Sequence, residues 1–295
     1  MLADLDLLCI AVFCAADDLL PRPDRNARRK LTDAEVVTLC VAQVLLGISS
    51  DRRFLSAARR RLGHLFPLLP GQAGFHKRLA RLAEVIEALS ARFASESPGW
   101  FDDLLLLDST PVECARSRET VERAGDSSLG DAIADAAGYG YCPSHSRYFF
   151  GMRLHLLAAP DGTPRAATLW SPERGEREVA QGMLPRALRG GETIIADKGY
   201  AGAEFAQVVQ DHGTRLVRPN RKDEPGQAPR ISGLRQRIES IFDSFKDILG
   251  LERHGARTLR GLRARIATRL LALAACVSLN HQLGLPSRSL VAYTT

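Results

Sequence analysis

The sequence predicts an α/β protein, of the α+β kind, in which a mixed sheet flanked by helices follows an all-helical N-terminal domain. Three observations carry this. Apolar residues recur with a helical period over the first hundred positions, and after Ser97, Pro98 and Gly99 short apolar runs bounded by turn residues take over. Two of those runs, 104–107 and 194–196, lead directly into an aspartate. The 295 residues suffice for one large domain or two small ones. At 45% hydrophobic and 25% charged, the chain is not collagen-like, largely disordered or a many-span membrane protein.

The elements follow in order. Residues 5–16 form an amphipathic helix rather than a secretion signal, because Asp4 and Asp6 stand where a signal carries Lys or Arg. Thr32 with Glu35 three residues on is a capping box, and Val36, Val37, Cys40, Val44 and Leu45 continue with helical spacing. Gly47 to Ser50 make a turn, and a basic helix over 51–62 completes the outline of a helix-turn-helix. A helix over 76–95 precedes the boundary. Beyond it, 104–107 reads as a buried strand and 115–145 as a long polar loop. Runs at 148–157 and 166–170 around Pro160, Asp161 and Gly162 form a hairpin. A helix over 173–187, a strand at 194–196, a short strand at Leu216 and Val217, and helices over 232–250 and 258–283 complete the chain. The expected organisation is a helical domain over 1–98, a sheet-containing domain over 99–285 and a tail over 286–295.

Six cysteines are scattered, four of them in apolar stretches, which suits a reducing compartment. Cys142 and His145 have a ligand-like spacing but no second pair to complete a zinc site. No stretch of 18 uninterrupted apolar residues occurs, so no membrane span is expected. The net charge of +6 favours an acidic partner such as nucleic acid without proving one. Its distribution says more: 215–269 holds fourteen Lys and Arg against six Asp and Glu, and 22–61 holds ten against four. Such tracks predict salt-dependent phosphate binding. Arg218, Arg221 and Lys222 sit in a loop between the acidic elements and are the stronger candidates. Arg257, Arg260 and Arg263 serve equally well as a solvated helix face. Arg116, Arg118 and Arg147 are further candidates around the long loop. Trp170 and Phe149 could stack on bases, although aromatic residues in a hairpin more often pack in the core.

Asp108 and Asp197 each follow a short hydrophobic strand, so a sheet can bring them together although 89 positions separate them. Each alone is a common turn or cap residue. Together, with Glu239 on a late basic helix, they have the makings of a carboxylate site for Mg²⁺ or Mn²⁺. Glu239 alone could simply pair with Arg235, four residues away.

The order of Asp108, hairpin, Asp197 in Asp-Lys-Gly-Tyr and Glu239 resembles the DDE transposases of bacterial insertion sequences. Those enzymes share a ribonuclease H-like fold and often carry a Tyr, Arg, Glu, Lys signature. Arg235, Glu239 and Lys246 match its last three positions, and Ser232 stands in place of the Tyr. The resemblance covers about 100–283. It implies that Asp108, Asp197 and Glu239 are catalytic and bind two Mg²⁺ or Mn²⁺ ions. It also implies that Arg235, Lys246 and Lys198 meet DNA alongside the loop residues above. The reaction would be cleavage at a transposon end followed by strand transfer of the 3′-OH into target DNA, by a homodimer or larger assembly, in the bacterial cytoplasm at the nucleoid. The alternatives are a ribonuclease H-like nuclease without joining and a non-catalytic DNA-binding protein from a decayed element.

Overall fold

The structure is a computed structural model that describes residues 3–21, 31–115, 132–142, 146–222, 224, 229 and 231–294. Its elements in chain order are α1 (Leu5–Leu19), α2 (Asp33–Leu45), α3 (Asp51–Arg61), α4 (Gln72–Arg81), α5 (Ala83–Ser95), β1 (Leu104–Ala115), β2 (Gly138–Cys142), β3 (Arg147–Ala158) and β4 (Pro164–Trp170). They continue with α6 (Glu176–Met183), β5 (Thr193–Ile195), α7 (Ala203–Asp211), β6 (Arg215–Val217), α8 (Ser232–Asp243) and α9 (Leu259–Gln282). The chain divides into two compact units, Met1–Ser97 with Ser244–Thr295, and Pro98–Asp243.

The first unit is helical. Thr32 caps α2 reciprocally: its hydroxyl accepts from the Glu35 N–H at 3.1 Å, while its own N–H donates to the Glu35 carboxylate at 2.6 Å. Arg78 of α4 donates twice to Asp33, at 2.9 and 2.6 Å, and ties α4 to the start of α2. The expected 76–95 helix is two helices, broken at Leu82, whose backbone leaves the helical region. Ser50 caps α3, and Arg52, Arg53, Arg59, Arg60 and Arg61 all face solvent while Phe54, Leu55 and Ala58 are buried. Helix α9 is buried on nearly every side, packing on α5 and α2. It therefore belongs to this unit, although the sequence reading grouped 99–285 with the sheet. Each fully buried leucine in it, such as Leu271 and Leu273, is worth about 1.5–3 kcal/mol of transfer free energy.

The second unit holds a mixed six-stranded sheet. Long β3 pairs antiparallel with β1 on one side, and with β2 and β4 on the other. On its far side β1 runs parallel to β5, which runs parallel to β6. This is the mixed sheet flanked by helices that the sequence predicts. One face is a core of Leu105, Leu107, Leu157, Ile194, Phe205 and their neighbours. Register slips between Glu113 and Ala115, where Gly151 of β3 comes so close that a Cβ would lie 2.2 Å from the Val112 carbonyl oxygen. A buried pair, Arg165 and Glu192 at 3.4 Å, joins β4 to the start of β5, and Arg165 also donates to the Ala187 carbonyl at 2.7 Å.

Two expectations change here. The 104–107 strand does not end at Asp108 but runs to Ala115, because β3 continues to pair with it. The long polar loop contains a strand, β2, whose tyrosines alternate with small residues.

Candidate active site

The parallel pairing of β1 with β5 is short, from Leu104 opposite Thr193 to Leu106 opposite Ile195. Two residues further on along each chain stand Asp108 and Asp197. A step of two preserves the face of a strand, so both carboxylates fall on one face just past the paired stretch, near enough for the charge of Asp197 to act on Asp108. Asp197 then caps a one-turn 3₁₀ helix, Lys198–Tyr200, its carboxylate accepting from the Gly199 N–H at 2.7 Å. Asp108 accepts from the Ser109 N–H at 2.7 Å.

The electrostatics are those of crowded negative charge. Burial pushes the Asp108 carboxyl up to about 7; the Ser109 N–H opposes this, the charges of Asp197 and Glu176 reinforce it, and Arg235 opposes it. Glu176 is the residue that sequence reading missed. It opens α6 and accepts from the Ser109 hydroxyl at 2.6 Å and from Arg153. Only its position in the first turn of a helix signals it in sequence, and that is where carboxylates often serve the helix dipole alone.

Two buried groups of the same unit lack hydrogen-bond partners, the Tyr200 hydroxyl and both ring nitrogens of His155. Burial, then Glu176, Asp108 and Asp197, raise the Tyr200 hydroxyl well above its usual range, so it is a neutral phenol. Burial pulls His155 down to about 4, so it is a neutral imidazole.

Glu239 stands differently. It is exposed on α8, with its carboxylate 4.0 Å from Arg235 one turn earlier, and it is not among the charges that move Asp108. Among the described residues, no three His, Cys, Asp or Glu side chains are close enough to hold a metal ion. The two aspartates nonetheless suit a hard divalent cation. Their donors are carboxylate oxygens, and one of them resists ionisation because it is desolvated and lies near two other carboxylates.

The basic candidates are dispersed. Lys198 and Lys222 are exposed. Arg218 is engaged by Glu224 in a two-pronged pair at 2.7 Å on each side, and Arg221 donates to the Ala201 carbonyl at 3.1 Å. Arg147 lies 3.4 Å from Glu113. Lys246 belongs to a π-helical turn of the other unit, Ser244–Ile248. Arg116, Arg118, His145 and the basic residues of 22–30 lie outside the described residues. Phe149 is buried, and Trp170 lies under the Arg174 guanidinium, 4.1 Å from its ring centre. Among the described residues, no helix is long and apolar enough to cross a membrane.

A family model described as transposase DDE domain matches residues 99–275. The comparisons with curated proteins and with solved structures gave no match.

Proposed function

The chain belongs to the transposase DDE domain family, and on that premise we propose that it cleaves DNA at the ends of a mobile element and joins the freed 3′-OH to target DNA. The observation that supports this best is the β1/β5 register, with Asp108 and Asp197 following it in step and the Asp108 carboxyl raised by crowding.

Asp108, Asp197 and Glu239 would hold divalent cations, two Mg²⁺ or Mn²⁺ ions, with Glu239 joining from the helix whose Arg235 already acts on Asp108. Bound there, such ions supply polarisation of the attacking oxygen and neutralisation of charge on the phosphoryl group. The chain's own residues set the geometry. The cap on Gly199 fixes the Asp197 carboxylate, and the Ser109 N–H fixes that of Asp108. Glu176, already bonded to Arg153 and Ser109, adds negative charge without being free to move.

In cleavage, a water oxygen bonds to phosphorus, the bond from phosphorus to O3′ breaks, and O3′ takes up a proton. In joining, the oxygen of that hydroxyl bonds to a phosphorus of target DNA, the target's own bond from phosphorus to O3′ breaks, and the released O3′ takes up the proton the attacking hydroxyl gives up. Arg235, Lys198, Lys222, Arg221, Arg147 and Lys246 would meet phosphates, and Arg218 would exchange Glu224 for one. Holding two element ends together calls for a homodimer or larger assembly on DNA.

The test is cleavage of a labelled element end with Mg²⁺ or Mn²⁺ and with EDTA, for the wild type and Glu239→Gln. Metal-dependent cleavage lost in the variant supports the triad. Cleavage unchanged in Glu239→Gln removes Glu239 from it.

A further inference from the structure

The helical unit contains a second cluster of buried charge, of opposite sign. The turn between α2 and α3 at Gly47 and Ser49, the turn from Gly250 to Arg253, and α9 border an open pocket of about 20 Å³, room for one water-sized group such as a single phosphate oxygen. Arg253, Arg265 and Arg269 line it, and no Asp or Glu is among the lining residues. Arg265 and Arg269 are one helical turn apart and only 6% and 5% exposed. Arg265 donates to Asp51 at 2.7 Å, yet its buried Nε has no hydrogen-bond partner.

Backbone carbonyls hold Arg269: its Nε and Nη2 donate to Gly250 at 3.2 and 3.0 Å, and its Nη1 to Arg265 at 2.8 Å. Burial, then the charges of Arg265 and Arg253, pull the Arg269 guanidinium down to about 9. Burying guanidinium groups is costly unless an opposite charge meets them. Asp51 is already divided among several groups, since it also accepts from Gln43 at 2.9 Å and faces His76 at 3.2 Å.

We infer that this pocket binds a phosphate-type oxyanion, and that its source is a phosphodiester of the DNA backbone. Guanidinium forks match the geometry of phosphate oxygens. The N-terminus of α3, capped by Ser50, begins beside the pocket and adds its dipole. DNA is favoured over free phosphate because α3 leads from the pocket into five exposed arginines. That choice of source rests on the function proposed above; the oxyanion chemistry does not.

The experiment uses the full-length protein, with inorganic phosphate as probe and chloride at equal ionic strength as control. Thermal unfolding is followed for the wild type, Arg253→Ala, Arg269→Gln and the charge control Lys77→Ala. Phosphate should raise the melting temperature of the wild type and of Lys77→Ala but not of the two pocket variants. Fluorescence anisotropy with a DNA duplex should show displacement by phosphate, and Arg253→Ala should lower the slope of log K against log salt by about 0.9.

If Arg269→Gln does not fold, Arg253→Ala decides alone, its side chain being exposed. Phosphate stabilisation equal in all four proteins, or in none, overturns the site. Phosphate binding with DNA affinity and salt slope unchanged in Arg253→Ala overturns the DNA source. Metal-dependent cleavage keeps the two readings apart: intact cleavage without phosphate stabilisation overturns the pocket alone. Phosphate stabilisation without any cleavage counts against the proposed reaction and leaves the oxyanion site standing.

Discussion

The carboxylate end of the sheet and the arginine pocket of the helical unit present the same physical problem with opposite signs. At the first, Asp108 lies near Asp197 and Glu176 with Arg235 as opposing charge, and its carboxyl resists ionisation. At the second, Arg269 lies near Arg265 and Arg253, and its guanidinium holds its proton less tightly than usual. Buried like charge is expensive in both places and persists where a counter-charge arrives with a ligand. A site short of cations suits metal ions, and one short of anions suits phosphates. The difference teaches that chemistry and DNA grip can be broken separately.

The largest break is in the carboxylates. Asp108→Asn is expected to lower DNA cleavage by about 10³-fold or more, since charge stabilisation of this kind is worth several kcal/mol and each 1.36 kcal/mol is tenfold. Duplex affinity should stay within about twofold, read by anisotropy. Loss of both together would mean that Asp108 supports the fold.

Next comes the helical unit's own ion pair. Burial alone would raise the Asp51 carboxyl, but hydrogen bonds from Gln43 and Arg265, the charge of Arg265 and His76 hold it below the usual range. Asp51→Asn leaves Arg265 uncompensated and should cost about 3–5 kcal/mol in urea unfolding. Added phosphate should restore part of that loss, an effect that the carboxylate site cannot produce.

Without divalent ions, pH separates two groups of the sheet unit. The raised pKa of Asp108 gives stability present below about pH 4 and lost as pH rises through about 7. The lowered pKa of His155 works the other way: its stability is present above about pH 6.5 and lost as pH falls toward about 4. The two slopes oppose each other, so Asp108→Asn should expose stability that rises with pH between 4 and 6.5, and His155→Leu should expose the reverse. Denaturant midpoints across that range read both.

The smallest effect is at Arg218. Its pair with Glu224 is partly exposed, so Arg218→Ala should change stability little, read by denaturant midpoint. It should weaken DNA binding less than Lys222→Ala, because an arginine already engaged must give up a partner first.

Much of this was legible in the sequence where local chemistry decides the outcome. The Thr32 and Glu35 capping box is as read, and α3 and α9 begin and end within a residue of the expected bounds. The nearness of Asp108 and Asp197 follows from two short apolar runs sharing one sheet. What pairing decides was not legible: β1 continues past Asp108 through Pro111 only because β3 is long enough to hold it. Likewise β2 hides in a glycine-rich stretch until the β3 edge gives it a partner. Glu176 and the Arg253, Arg265 and Arg269 cluster depend on contacts between segments far apart in the chain, for which periodicity carries no signal. Glu239 was found through its spacing from Arg235 and Lys246, and the structure leaves its carboxylate against Arg235.

The most direct measurement is strand joining. A labelled element end with a pre-cut 3′-OH is incubated with target DNA and Mn²⁺, using wild-type protein and Asp108→Asn. The account predicts joined products with the wild type, none with EDTA, and none with Asp108→Asn although that variant still binds the end. Specific binding without joined product, or joining that survives Asp108→Asn, would contradict it.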